Sequence, residues 1–201
     1  MRKALVVLAV VLGLLIVMAL GLVAWGTRTY NRFVALEQRV DQAWSDVENV
    51  YQRRLDLIPN LVETVKGVAG FEKETYTAVA EARAQAGSIQ LTPELIRDPQ
   101  ALARFDQAQS ALSSALSRLL VTVERYPELK ANQNFLDLQA QLEGTENRIA
   151  VARKRFNEVV RAYNTATRQF PARIVASFAG FEPRAYFRAA AGAETAPRVE
   201  F

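Results

Sequence analysis

The feature that most constrains this chain is the uncharged apolar run at residues 4–24, ALVVLAVVLGLLIVMALGLVA, 21 residues long. At 1.5 Å rise per residue, a helix of that length spans about 30 Å, the thickness of a bilayer's hydrocarbon core. The run therefore predicts a transmembrane helix. A cleaved signal peptide has a shorter apolar region, and the one small-x-small option, Ala19-Leu20-Gly21, lies inside the run. A buried helix of a soluble core fits poorly, because the segment has no polar face and Arg2 and Lys3 stand directly before it. Trp25 and Tyr30 follow where amphipathic rings favour the headgroup level, and Arg28 and Arg32 can anchor beside lipid phosphates. These four are the expected membrane-interface residues.

Orientation is set by a near tie. Arg2, Lys3 and the α-amine face Arg28, Arg32 and Arg39 across the span. The reading adopted is a single-pass signal anchor, with residues 1–3 as a cytoplasmic tail and the rest of the chain extracytoplasmic. The absence of Cys is compatible with either compartment.

Composition narrows the chemistry. With no His and no Cys there is no imidazole base, thiolate nucleophile, Cys/His zinc site or disulfide framework. Two of the 25 Lys+Arg residues precede the span, which leaves 23 against 21 Asp+Glu. So small an excess, with bases interspersed among acids, argues against a nucleic-acid partner. Glu143 and Glu146 lie one helical turn apart, as carboxylate ligands can, but no Glu-x-x-His accompanies them, and solvated charge is the better reading. No Lys falls in a Ser-x-x-Lys motif. No catalytic, cofactor-binding or metal-ligating residue is assigned, and no cofactor is expected.

Beyond the span, apolar residues recur at helical spacing. Phe33, Leu36, Val40, Ala43, Val47 and Val50, continued by Leu57, Leu61, Val65 and Val68 with Arg54 in between, predict one helix over 30–86. Gly67 and Gly70 are its weak points and Gly87-Ser88 its stop. Asp98 then makes a good N-cap with Pro99 in the first helical position, and Leu102, Phe105, Gln109, Leu112, Leu116, Leu119 and Val123 keep heptad spacing, as in a coiled coil, to Pro127. Phe135, Leu138, Leu142, Thr145, Ile149, Ala152, Phe156, Val159, Tyr163, Ala166 and Phe170 predict a third helix ending at Pro171. Ile174, Val175 and Phe178 suggest a short fourth helix ended by Gly180, followed by an aromatic end piece in which Phe178, Phe181, Tyr186 and Phe187 grip a partner or cap the bundle. The expected fold is all-α: the span, an antiparallel up-and-down four-helix bundle with a short fourth helix at residues 25–187, and a disordered tail at 188–201.

Helix lengths carry a further expectation. A helix over 30–86 is about 85 Å long, whereas the one over 99–125 is only about 40 Å. The returning helix would leave the membrane-proximal stripe of Phe33, Leu36, Val40, Val47 and Val50 bare, beside Trp44 and Tyr51. A second copy is the simplest cover, so these five form the candidate oligomer seam. A break at Gly67 to Gly70 is the competing solution, since it would bury the stripe within one subunit.

The most specific stretch is RRLDLIPNLVETVK at residues 53–66. Arg53, Asp56, Asn60, Glu63 and Lys66 fall on one stripe at steps of three and four, a candidate interaction face. Pro59 deletes the hydrogen bond to the Leu55 carbonyl and is the expected kink. The stripe admits two readings: a recognition face with a freed carbonyl, or a bend with ordinary exposed ion pairs that stabilise little.

Residues 30–67, YNRFVALEQRVDQAWSDVENVYQRRLDLIPNLVETVKG, with AEAR at 80–83 and FPARIVASFAGFEPRAYF at 170–187, resemble the LemA family of bacterial membrane proteins over nearly the whole chain. Family proteins often carry His in the segment matching residues 69–73, which here reads Ala-Gly-Phe-Glu-Lys. The resemblance implies a single N-terminal membrane span in the bacterial cell membrane, an antiparallel helical bundle, and a part in membrane organisation. The functional expectation is a membrane-anchored, non-enzymatic scaffold whose partners are membrane lipid, itself and other envelope proteins. The alternatives are an accessory subunit or an enzyme using carboxylates and Arg, and a ligand-sensing receptor. An enzyme needs a concave pocket with converging charged groups, a sensor an output module, and a scaffold an uncovered apolar seam.

Overall fold

A computed structural model describes residues 2–188, and its regular structure there is entirely helical: α1 (Arg2–Lys66), α2 (Lys73–Gly87), α3 (Pro99–Val123), α4 (Pro127–Lys130), α5 (Gln133–Arg168) and α6 (Ala172–Ala179). Met1 and most of the expected tail, residues 189–201, lie outside the described residues. The apolar run and the first bundle helix are one continuous helix, α1. Among the described residues, the side chains of 5–24 are exposed, with none buried against the bundle.

The expected helix over 30–86 is in fact two. α1 stops at Lys66, Gly70 takes a left-handed φ of +79°, and α2 packs back against α1. Phe71 is buried in this turn between Tyr76 and Tyr126, and the Tyr126 hydroxyl donates to the Gly70 carbonyl at 2.9 Å. Gly70 can adopt that conformation without the steric cost a Cβ brings, which is why the chain reverses here.

Asp98 caps α3 as expected, accepting from the Gln100 amide at 2.8 Å with Pro99 in the first helical position. All seven residues of the α3 stripe are buried. α4 is a single turn opened by Pro127 that buries Leu129. Asn132 caps α5, accepting from the Phe135 amide at 3.1 Å. α5 then runs antiparallel along α1: Gln141 meets Arg53, Glu146 meets Arg54, the Phe156 ring lies 5.5 Å from that of Trp44, and Ala166 packs with Phe33. Near its end the buried register moves by one, so that Val160 is fully buried and Val159 only partly, and Phe170 falls beyond the helix into solvent.

These pairings overturn the seam. Phe33, Val40 and Val47 are buried, and Leu36 and Val50 half-buried, within a single subunit. The reversal at Gly70 shortens the first bundle helix, while α5, at about 54 Å, covers most of the roughly 62 Å of α1 beyond Trp25.

Gly180, at φ +75°, ends α6. Residues 181–188 then run extended along α5, held by two asparagines seven residues apart on that helix. Asn164 donates to the Arg184 carbonyl at 2.8 Å and accepts from its amide at 2.9 Å; Asn157 does the same for Phe187 at 2.9 and 3.0 Å. The Ala185 amide donates to Ile96 in the α2–α3 connection at 2.8 Å. The expected aromatic cluster is therefore divided. Phe181 packs edge-on against Tyr30 and Phe33, Phe187 joins Trp44, Phe105 and Phe156, and Phe178 and Tyr186 stay exposed.

Candidate functional site

Arg54 is the residue that the sequence pattern underrates. It occupies an apolar register position of α1 and is only 2% exposed. One guanidinium joins three helices: Nη1 donates to Ser113 Oγ on α3 at 3.0 Å and to Glu146 on α5 at 2.7 Å, while Nη2 donates to the side-chain and backbone oxygens of Gln109 on α3. It also lies over the Tyr51 ring, 5.3 Å from the centroid. A charge removed from water costs several kcal/mol unless its hydrogen bonds are met, and these partners meet most of that demand. Glu146 is thus a solvated charge, its side chain 54% exposed, that also serves as the counter-ion of a buried arginine. Gln109, placed in the heptad stripe as a core position, is there to receive this arginine.

The Tyr51 hydroxyl is buried beside this network with no hydrogen-bond partner among the described residues. Burial raises its pKa above the ordinary 10.0, partly opposed by the Arg153 and Arg54 charges. Arg153 is engaged with Asp106 at 2.7 Å and lies over the Phe187 ring. Arg153 and Asp106 are therefore committed to one another. A cleft of about 660 Å³ between α3 and the extended segment is lined in part by Asp106, Ser110, Arg168 and Tyr186, but its carboxylate is the one already held by Arg153.

The predicted residues on α1 divide by exposure. Arg53, Asp56, Asn60, Glu63 and Lys66 are all exposed, so the stripe is a continuous polar face. Lys66 pairs with Glu63 at 2.9 Å, Gln52 donates to Asp56 at 2.8 Å, and Arg53 donates to Gln141 on α5 at 3.0 Å. Pro59 lies inside α1 as expected. The carbonyl it releases is not free for a partner. Arg83 Nε of α2 donates to the Leu55 oxygen at 3.0 Å. The proline and the AEAR segment, read separately in the sequence, are two halves of one contact that ties α2 to α1. At the other end of the bundle Trp25, Arg28, Tyr30 and Arg32 all lie on the exposed surface of α1 just past the apolar run.

The family model described as LemA family matches residues 43–201. Among curated proteins, the Magnetosome protein MamQ of Magnetospirillum gryphiswaldense is 28% identical over 193 residues, covering 87% of this chain and 71% of its own length. Magnetosome protein MamQ 2 of Paramagnetospirillum magneticum is 25% identical over 175 residues, 79% of this chain and 64% of its own. Protein LemA of Metamycoplasma hominis is 21% identical over 135 residues, 67% of this chain and 58% of its own length.

Proposed function

The chain belongs to the LemA family, and on that premise we propose that it is a membrane-anchored, non-enzymatic helical scaffold that presents a polar face to other envelope proteins. The observation that carries the reading is the continuity of α1. One helix leaves the apolar run and becomes the central element of the bundle without a break from Arg2 to Lys66. A span joined to its domain by a helix, rather than a linker, holds that domain at a fixed height and angle. The stripe from Arg53 to Lys66 begins about 42 Å beyond Trp25 and ends about 62 Å beyond it. Its residues are exposed and mostly paired with near neighbours, so the face is displayed in a defined arrangement.

The relatives named as magnetosome proteins support a place in membrane organisation. The bundle is placed on the extracytoplasmic side of the inner membrane in this proposal, which labelling of a single engineered Cys by an impermeant maleimide on spheroplasts checks directly. Self-association through Phe33, Leu36, Val40, Val47 and Val50 is no part of it, because Phe33, Val40 and Val47 are core and Leu36 and Val50 are half-buried within one subunit.

The test is site-specific photocrosslinking from Asn60 in native membranes. The proposal expects discrete adducts of defined mass that disappear when Asp56 and Glu63 are both changed to Lys, with the melting temperature unchanged. Adducts that survive the double reversal would remove the stripe as the recognition face.

A further inference from the structure

Among the described residues, several of the large apolar side chains exposed outside the span are scattered singly, as Val121, Leu136 and Val151 are. Three near the α5–α6 corner are not. Phe170, Ile174 and Phe178 recur every four residues at the α5–α6 corner and along α6, with Phe170 84% and Phe178 91% exposed. Scattered apolar residues need no explanation, but two nearly bare phenylalanines, one in the turn before α6 and one on its exposed side, do.

Their position in the molecule indicates what covers them. Because α5 runs antiparallel to α1 and Ala166 packs with Phe33, the chain leaves α5 at the membrane-proximal end of the bundle. Ala172 and Val175 pack into the same Phe33 cluster, and Phe181, just beyond α6, rests on Tyr30 and Phe33. Both ends of α6 are thus held against the same short stretch of α1, and this helix of about 12 Å lies across the end of the bundle. Its Ala172, Val175 and Ala176 face the bundle. Ile174 and Phe178 are exposed on the other side, with Arg173 and Ser177 beside them.

That end of the bundle is next to the span. Tyr30 is about 9 Å along α1 from Ala24, and the headgroup layer is about 5–7 Å deep on each side. A neighbouring helix sits 8–10 Å to the side, so the usual tilt of about 20° toward α6 lowers it by a further ~3 Å. A phenylalanine ring directed outward from α6 then reaches the headgroup and acyl boundary. The charges suit the same surface. Arg28, Arg32, Arg168 and Arg173 are all exposed around this end, and none is in an ion pair among the described residues. Glu182 is the exposed carboxylate near them, while Glu37 is held by Arg184.

We propose that α6 is a second membrane contact: Phe170, Ile174 and Phe178 insert at the interface of the leaflet from which α1 emerges, and Arg168 and Arg173 bind anionic lipid phosphates. An amphipathic helix of this kind lies in the plane of the interface, and its binding grows with buried apolar area and with anionic lipid. Together with the span it fixes the rotation of the bundle about the α1 axis, which the continuous helix leaves open. The inference rests on the reading of residues 4–24 as a membrane span.

The absence of Cys from the chain makes the experiment clean. Bimane is attached to Ser177→Cys on α6 or to Leu14→Cys in the span, in full-length protein reconstituted into phosphatidylcholine vesicles with and without phosphatidylglycerol. Quenching is read against lipids spin-labelled near the headgroup or deep in the chain. The proposal expects the Ser177→Cys probe to be quenched several-fold more by the shallow label than by the deep one, and more strongly with phosphatidylglycerol. Replacing Phe170, Ile174 and Phe178 by Ser should abolish that quenching while leaving the melting temperature unchanged, because the three side chains are exposed. Quenching of Leu14→Cys without quenching of Ser177→Cys overturns the second contact and leaves the span standing. Failure at both positions overturns both.

Discussion

Two side chains carry more of this structure than their residue types suggest. Arg83 and Pro59 make a coupled pair, since the proline withholds an N–H from the Leu55 carbonyl and the arginine replaces it. Arg83→Met should cost about 1–2 kcal/mol, because it strips a charged donor from a part-buried carbonyl. In a Pro59→Ala background the new amide can bond that carbonyl itself, so the same substitution should cost distinctly less, and a double-mutant cycle in urea measures the difference. Equal costs in the two backgrounds would mean that the contact is incidental. Tyr51 gives a pH signature. Its pKa is raised in the folded state by burial, so its contribution to stability is complete below the ordinary 10.0 and is lost as pH rises through the folded value. Tyr51→Phe removes a buried hydroxyl with no partner and should leave stability at neutral pH unchanged or higher. Its stability should decline less steeply above pH 10, as followed by unfolding at a series of alkaline pH values. Tyr163, also raised by burial but donating to Glu182, remains to supply part of the slope in both proteins.

Elements were legible where a local signal and a periodic one agreed. The Asp98-Pro99 cap, the heptad stripe of α3 and the Gly180 stop all appear where the sequence places them. The α1–α2 break at Gly67 to Gly70 was legible only as the competing solution, because glycines inside a helical pattern cost only about 1 kcal/mol each and the apolar stripe continues through Val65 and Val68. The stripe is continuous since the same residues serve a turn and a core: Val65 is buried and Val68 packs on the distal cluster. Gly70, not Gly67, makes the reversal. Gly70→Ala should cost about 1–2 kcal/mol for its left-handed conformation, whereas Gly67→Ala, whose Cβ would meet only ordinary contacts at 3.5 and 3.7 Å, should be near neutral. Thermal unfolding of the two variants compares them. The Arg54 network and the paired Asn157 and Asn164 clamps were not legible. Each joins residues 20 to 92 positions apart, and a single Arg or Asn in a helical pattern carries no mark of a partner that distant.

At the scale of the whole molecule, the reversal at Gly70 decides the architecture. It turns an expected long rod with an open seam into a bundle whose apolar stripe is covered by its own α5. What is left on the outside is a polar face on α1 and an apolar, arginine-flanked face on α6. Both have a use only if the span and the bundle are one rigid body, which is the central claim. The most direct measurement is a spin-label distance across the junction, between Leu22→Cys in the span and Glu63→Cys on the stripe, in full-length protein in lipid nanodiscs. The two positions are 41 residues apart on one helix, and the account predicts a single narrow distribution near 60 Å. A broad distribution, or a shorter principal distance, would place a hinge between membrane and bundle and contradict it.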